Sequence, residues 1–279
     1  MKETLEIRIN YDYANLLFKA DEGKNLGTTV KVVKLSKDDP RYKEIPVIAD
    51  VVKRKYDRGF FFGWEYRRKY TKKELELAKL FQIKIKVTFE PSGVECGTLY
   101  DETVACEICG ANRKQVSLLT LKKGTIPKMD IAKTIGGEIV VSDKFANAVK
   151  VRNLKGLQLT PINFEVGVSD YSQLVASSEI ELSPNTVVGI NPFNLSTSDE
   201  GEIYKCPQGD TIGLNLLSEA YVLNNSPIND CDFLRSKQNI GVKRGLLRPE
   251  PIYFCSLAFR KMIEEEKLTG FEFEITNIE

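Results

Sequence analysis

An internal repeat, whose two copies lie 114 positions apart, constrains the fold more than any other feature of the sequence. In each copy a strand-like run ends at a serine, and a helix-like run follows with apolar residues at i, i+3 and i+4. Ser142 and Ser256 can cap the two helices, and Gly156 and Gly270 can end them at positive φ. No gap separates these positions, because 256 − 142 and 270 − 156 both equal 114. The repeat predicts two related β-α-β units in an α+β fold with mixed sheets.

The repeat and a cysteine motif between residues 96 and 109 divide the chain into three expected regions. Residues 1–90 form an N-terminal αβ region. Residues 91–168 hold a cysteine knuckle and the first β-α-β unit, and residues 169–279 hold a β-rich insert and the second unit. Between the knuckle and the first unit, the segment from Asp130 to Ile135 is predicted as a short helix.

Two local patterns in the N-terminal region indicate its elements. Leu5, Ile7 and Ile9 alternate with polar residues, which is typical of a half-buried strand. Thr71 and Glu74 have the spacing of a capping box, in which each side chain accepts a hydrogen bond from the other residue's amide. We expect the helix behind this box to extend to Phe81.

Three cysteines close together and a fourth farther along the chain indicate a metal site. Cys106 and Cys109 form a Cys-x-x-Cys-Gly knuckle of the zinc-ribbon type, and Cys96 lies ten residues upstream. Cys206 stands in a Cys-Pro turn that also resembles a knuckle. A closed structural site needs four ligands, and we therefore expect Cys96, Cys106, Cys109 and Cys206 to bind a structural zinc ion.

The same cysteine pattern is compatible with different ligand sets and with different chemistry. Asp101 or Asp210 could complete the site instead of one thiolate, since carboxylates also bind zinc. The cysteines could also be small buried apolar residues, a redox pair or ligands of an iron–sulfur cluster. A zinc deaminase is disfavoured, because its ligand–acid motif and its Pro-Cys-x-x-Cys motif are both missing from the sequence.

The composition narrows the function. The 279 residues contain no histidine, which removes imidazole as a base or ligand. No Walker, GxGxxG or GxSxG motif is present. We therefore expect a non-enzymatic binding protein with a protein partner, although a carboxylate-based enzyme such as a glycosidase stays open.

The sequence has no secretory signal or membrane-length apolar run, and six cysteines are too few for a disulfide scaffold, which favours a cytoplasmic protein without membrane contact.

A basic and aromatic stretch over residues 53–73 gives an alternative function. Cations there could contact phosphates while rings stack on bases, as in a nucleic-acid-binding accessory protein. A solvated helix beside an ordinary strand would have the same composition, and the net charge of the whole chain is only +1. The residues that would bind nucleic acid are Lys53, Arg54, Lys55, Arg67, Arg68 and Lys69.

Several segments resemble a bacterial family. The first repeat copy, from Val140 through Gly156 to Ile162, is similar to the C-terminal signature of immunity proteins that are predicted to protect bacteria against their own polymorphic toxins. The segment from Cys96 to Gly110 resembles the related double-CXXCG proteins, although Gly93 stands where the doubled motif has a cysteine. Segments 63–68 and 241–249 are similar to uncharacterised bacterial sequences of this kind. The resemblance implies a toxin-neutralising immunity protein whose partner is a toxin.

Overall fold

The computed structural model describes residues 1–164, 170–193, 203–224 and 228–279. It shows a mixed α+β protein that consists mostly of sheets, and none of the helices in these described ranges is long and apolar enough to cross a membrane. The chain divides into two compact units, which are residues 1–76 with 191–198, and residues 77–190 with 199–279. This division differs from the expected boundary after residue 90, and the expected boundary at 168/169 falls outside the described residues.

The first unit has a four-stranded sheet in the order β2-β3-β1-β4. As predicted, Leu5, Ile7 and Ile9 are buried on one face of the first strand. The capping box is confirmed, because the Glu74 amide donates to Thr71 Oγ1 (3.2 Å) and the Thr71 amide donates to Glu74 Oε2 (2.6 Å). The elements of this part of the chain are β1 Lys2–Asn10, β2 Lys24–Leu26, β3 Val30–Ser36, α1 Ile45–Tyr56, β4 Phe61–Lys69 and α2 Lys72–Leu77, with 3₁₀ turns at Tyr11–Leu16 and Pro40–Lys43.

The second unit is built on a five-stranded sheet, β12-β14-β11-β10-β6, and a six-stranded sheet, β15-β19-β20-β5-β21-β18. Three two-stranded ladders, β7-β8, β9-β13 and β16-β17, accompany them. The strands up to residue 142 are β5 Leu80–Ile85, β6 Thr88–Phe89, β7 Tyr100–Asp101, β8 Lys114–Gln115, β9 Thr120–Leu121, β10 Ile131–Thr134 and β11 Ile139–Ser142, with a 3₁₀ turn at Val94–Cys96. The later elements are α3 Asp143–Val151, β12 Leu157–Pro161, β13 Asn163–Phe164, β14 Tyr171–Ala176, β15 Glu179–Ile180, β16 Val188–Gly189, β17 Asn215–Leu216, β18 Tyr221–Val222, β19 Phe233–Ile240, β20 Glu250–Ser256, α4 Leu257–Glu265 and β21 Phe271–Ile278.

The two repeat copies fold alike around their capping serines. Ser142 Oγ accepts from the Phe145 amide (3.2 Å), and Ser256 Oγ accepts from the Phe259 amide (3.1 Å). These hydrogen bonds satisfy amides that the first helical turn leaves unpaired, so α3 and α4 begin at equivalent residues. The rings of Phe145 and Phe259 pack against each other with centroids 5.9 Å apart. Each helix therefore contributes the same apolar position to one shared core.

A strand from elsewhere in the chain separates the two strands that flank each helix. In the first copy β14 lies between β11 and β12, with Tyr171 opposite Ser142. In the second copy β5 lies between β20 and β21, with Leu80 opposite Ser256. Each copy is therefore a split β-α-β unit, and β5, which precedes the first copy, belongs to the sheet of the second. This pairing is why residues 77–90 belong to the second compact unit.

Two aspartates join the copies reciprocally. Asp130 accepts hydrogen bonds from Ser142 Oγ (2.7 Å) in its own copy and from the Thr269 amide (2.8 Å) in the other. Asp232 accepts from Ser256 Oγ (2.6 Å) and from the Lys155 amide (2.9 Å) in the same way. Burial raises the pKa of Asp130, but the hydrogen bonds from Ser142 and Thr269 lower it by more, so the carboxylate stays ionised at neutral pH.

Two sequence predictions about elements of the second unit are wrong. The segment from Asp130 to Ile135 is not a helix, because residues 131–134 form strand β10 and pair with β11. The helix behind the capping box ends at Leu77, and Phe81 lies instead in strand β5 with its side chain fully buried. In both segments strand pairing outweighs the local pattern, since β10 pairs with the neighbouring β11 and the more distant β6, and β5 pairs with β20 and β21.

Candidate metal centre

Two turns, one hundred positions apart in sequence, have matching backbone hydrogen bonds. In the first turn the Cys106 amide donates to the Ala111 carbonyl (2.9 Å), and in the second the Cys206 amide donates to the Thr211 carbonyl (2.7 Å). Each turn contains a glycine at positive φ, Gly110 at +69° and Gly209 at +82°. In the aligned turns Gly209 stands where the first turn has its second cysteine. The second turn therefore presents one thiol where the first presents two.

Different strand pairs hold the two turns in place. The first turn connects β7 and β8, in which Tyr100 pairs with Gln115. The second is followed at once by a bridge between Thr211 and Asn239 of β19. The positive φ of Gly110 disfavours a side chain there, and a Cβ would lie 2.5 Å from the aliphatic stem of Lys243, which would have to move aside. The strand pairs therefore hold the two turns that carry the cysteines.

The side chains of the two turns converge on one point. The ligand atoms of Cys106, Cys109, Cys206 and Asp210 all lie within 4.8 Å of one another. Cys106 and Cys206 are buried, and their sulfurs are 3.5 Å apart. Two sulfurs bound to one tetrahedral zinc ion at about 2.3 Å would be about 3.8 Å apart. The donor set and its spacing therefore fit a small tetrahedral cation of the zinc type.

Backbone amides and neighbouring thiols shift the pKa values of the two buried cysteines in opposite directions. The Cys109 amide lowers the pKa of Cys106, but burial and the adjacent thiols of Cys109 and Cys206 raise it by more, to about 11. Burial raises the pKa of Cys206, whereas hydrogen bonds from the Gln208 amide and from the Cys106 thiol lower it by more. The thiolates of Cys106 and Cys206 would repel each other at this distance, and a divalent metal bound between them would offset that repulsion.

Two asparagine side chains, linked by a hydrogen bond, orient the Asp210 carboxylate. Asn112 Nδ2 donates to Asp210 Oδ1 (2.6 Å), and the buried Asn239 donates through Nδ2 to Asn112 Oδ1 (3.2 Å). The backbone N–H of Asn239 also donates to the backbone carbonyl of Asp210 (2.8 Å). Such hydrogen bonds orient a carboxylate that binds metal, because they fix one oxygen and leave the other free.

Of the four cysteines predicted as ligands, the structure brings three together. Cys96 does not belong to the cluster, and it packs instead against the apolar group around Phe89, Leu119 and Leu121. Asp210, which the sequence offers only as a weaker alternative, takes the fourth position. The sequence signal that could have found Asp210 is the alignment of the two turns at an offset of 100, in which Cys206 matches Cys106 and Asp210 matches Gly110.

An open cleft of about 1040 Å³ borders the first turn, with Asn112 in its wall. Three carboxylates line it, and each is already engaged by a neighbour. Glu138 accepts hydrogen bonds from Thr134 and Tyr100 and is 4% exposed. Glu179 pairs with Arg235, and Glu250 pairs with Lys133. The cleft therefore has the carboxylates that an enzyme without histidine would need, but the hydrogen bonds of these carboxylates are made within the protein.

The six cations proposed to bind nucleic acid lie on two elements of the first unit, the last turn of α1 and the end of β4. Arg68 is the least accessible, with 2% of its side chain exposed, so it cannot reach a phosphate. Four of the six lie beside a carboxylate, which reduces the charge available to a polyanion. The four pairs are Lys53–Asp57 (2.6 Å), Arg54–Asp50 (3.9 Å), Arg67–Glu65 (2.8 Å) and Arg68–Glu3 (2.6 Å).

Comparison with known proteins adds no family assignment. A search of protein-family models and a search of curated proteins both gave no match to this chain.

Proposed function

We propose that this protein is a non-enzymatic, protein-binding protein in which a structural zinc ion joins two turns, one before the first repeat copy and one between the two copies. The observation that carries the proposal is the convergence of Cys106, Cys109, Cys206 and Asp210 from turns one hundred positions apart. Three thiolates and a carboxylate would fill a tetrahedral site and leave no position for water. The zinc would therefore stabilise structure, and the turn at Cys106 would act as a zinc-ribbon-like knuckle.

Metal analysis of the purified full chain tests the zinc proposal. We expect about one zinc per chain after expression without added metal, because structural sites of this type bind zinc tightly at neutral pH. The measurement is elemental analysis by mass spectrometry, with cobalt substitution as a second readout, since thiolate-bound cobalt has a charge-transfer band in the near ultraviolet. Protein that is folded and monodisperse but holds neither zinc nor another transition metal would refute the proposal.

The resemblance to immunity proteins suggests the biological role of the binding. We propose that the partner is a bacterial toxin, neutralised in the cytoplasm by direct contact. If the gene beside the one for this chain encodes a toxin, its expression should stop growth of a test bacterium, and co-expression of this chain should restore growth. A Cys206→Ser chain should protect less well, because its binding surface would lose its metal tie. A toxin whose effect is the same with and without this chain would contradict the role.

A further inference from the structure

We propose that the cleft beside the metal centre binds an acidic peptide segment of a protein partner, and that Arg113 and Arg248 are the residues that recognise its carboxylate. This inference rests on the proposed function, since it names the chemistry of the partner that such a binding protein would take. Both arginines line the cleft, and so does Asn112, which positions Asp210. The proposed peptide site and the metal centre therefore share one wall.

The two guanidinium groups meet at a single carboxylate oxygen of the protein itself. Glu102 Oε1 lies 3.5 Å from Arg113 Nη1 and 3.6 Å from Arg248 Nη2. Charge-assisted hydrogen bonds between these groups are normally about 2.7–2.9 Å long, so Glu102 is held loosely. The Glu102 side chain is 45% exposed, whereas the arginines are 9% and 18% exposed. An incoming carboxylate can therefore replace the exposed Glu102 carboxylate between two arginines that stay in place.

Both arginines are held in position before any ligand arrives. The Arg113 guanidinium lies over the Tyr100 ring, 3.9 Å from its centroid, and donates to the Gly136 carbonyl (3.3 Å). Arg248 Nη1 donates to the carbonyls of Gly245 (2.7 Å) and Leu247 (3.0 Å). A fixed guanidinium loses little conformational freedom on binding, which favours affinity.

Arg248 also has a donor to spare. Its Nε is buried, and no hydrogen-bond partner for it exists among the described residues. An unpaired buried donor is unfavourable, and guanidinium groups characteristically bind a carboxylate through two parallel N–H donors. With Nη1 committed to backbone carbonyls, Nε and Nη2 are the pair that Arg248 can offer to a ligand. A carboxylate ligand would satisfy this donor on the condition that displacement of Glu102 from Nη2 uncovers Nε, which is inaccessible in the structure.

The other charges of the cleft favour a peptide over a nucleic acid. The cleft is lined by carboxylates as well as cations: Glu138 lies 3.8 Å from Arg113, Glu179 pairs with Arg235, and Lys114 and Lys237 are further lining cations. Positive charge is therefore interrupted along the wall, whereas a nucleic-acid strand carries a phosphate at each nucleotide and needs a continuous cationic track. A peptide can place one carboxylate at the arginine pair and neutral residues elsewhere. The volume of about 1040 Å³ lies at the upper end of the range for small-molecule pockets, which suits an extended segment with several side chains.

An array of immobilised hexapeptides tests the inference on the full-length protein. Each peptide with one Asp or Glu is paired with a twin that has Asn or Gln at that position. We expect a subset of acidic peptides to bind at near-physiological salt while their neutral twins do not. A solution titration of the best peptide then measures its dissociation constant, with inorganic phosphate and a single-stranded oligonucleotide as competing probes.

Variants distinguish the effect of the arginine pair on peptide binding from the effect of the overall charge of the protein. Arg248→Gln should weaken binding of the best peptide about 30-fold or more, because a buried charged contact is lost. Arg248→Lys should recover only part of it, since lysine lacks the paired donors. Glu102→Gln should tighten binding about threefold, since it removes the internal competitor. Arg152→Gln and Glu265→Gln are the matched controls, because these residues form an ion pair of 2.7 Å that does not line the cleft.

The outcomes distinguish this inference from the proposed function. Zinc content is measured on every variant, and Arg248→Gln should keep its zinc. Acidic peptides that bind no better than their neutral twins, or binding unaffected by Arg248→Gln, would overturn the peptide site while the zinc proposal stands. Preferential binding of the oligonucleotide would also overturn it. Loss of peptide binding together with normal zinc content in Arg248→Gln is the expected result.

Discussion

Replacing Cys206 by serine is expected to release the metal and lower the melting temperature of the protein by about 10 °C. A metal that joins Cys106 to Cys206 closes a loop of one hundred positions, and the chain-entropy model for a covalent tie of that length gives about 4.7 kcal/mol. A metal bond, unlike a covalent one, can be released when the chain unfolds, so we expect a smaller contribution of about 3 kcal/mol from the metal. For a unit of this size each kcal/mol corresponds to about 2–4 °C.

The matched control for this variant is Cys96→Ser, which changes the same atom in the cysteine that lies outside the cluster. Cys96 packs against apolar residues, so its hydroxyl analogue should cost about 1 kcal/mol and leave the zinc content unchanged. Elemental analysis and thermal melting, each with and without a strong chelator, compare the two variants. The chelator should destabilise the parent and Cys96→Ser but not Cys206→Ser. If Cys96→Ser lost its zinc and Cys206→Ser kept it, the ligand set described above would be incorrect.

The features that local sequence predicts correctly rest on interactions between residues close in the chain. The capping box at Thr71 and Glu74 is one example, because its hydrogen bonds span three residues. The alternation of Leu5, Ile7 and Ile9 is another, since one buried face of a strand directly determines that pattern. The serine caps of α3 and α4 are predictable for the same reason.

The predictions that fail concern segments whose structure is decided by distant partners. Asp130 resembles a helix start, yet its carboxylate accepts hydrogen bonds from Ser142 and Thr269, the latter 139 positions away. Nothing in the local pattern shows that β5 and β14 enter the sheets of the two repeat copies, because each is an ordinary apolar strand.

The metal centre combines a feature that local sequence predicts with one that distant partners decide. The spacing of Cys106 and Cys109 identifies them as a pair, since a tight turn with a glycine brings their sulfurs together. The sequence does not show which distant residues meet that pair, because the answer depends on how the second turn is held against β19. Proximity in sequence favours Cys96, whereas the fold brings Asp210, which lies far along the chain, to the site.

Introducing a single methyl group at Gly156 or Gly270 is expected to destabilise the protein by about 3–5 kcal/mol. Both glycines have positive φ, +87° and +96°, where an L-residue is strained by about 1–2 kcal/mol. A Cβ at Gly156 would also lie 2.2 Å from the Phe233 carbonyl oxygen, and one at Gly270 would lie 2.3 Å from that of Ile131. Phe233 and Ile131 lie in β19 and β10, which pair with the strands of the other repeat copy, so their backbone cannot move aside without breaking strand pairing. This adds the cost of overpacking.

Gly124→Ala measures the cost of positive φ without a steric clash. Gly124 has a φ of +90°, but a Cβ added there would have no non-neighbouring atom within 4 Å. We expect this variant to cost about 1 kcal/mol, the conformational part alone. Urea unfolding of the three alanine variants gives the comparison, with an unchanged slope as the check on two-state behaviour. Similar losses for Gly156→Ala and Gly270→Ala, both well above that for Gly124→Ala, would show that the two copies approach each other through equivalent backbone contacts. Equal losses at all three positions would mean that φ alone sets the cost and that the close approach of the copies is not as described.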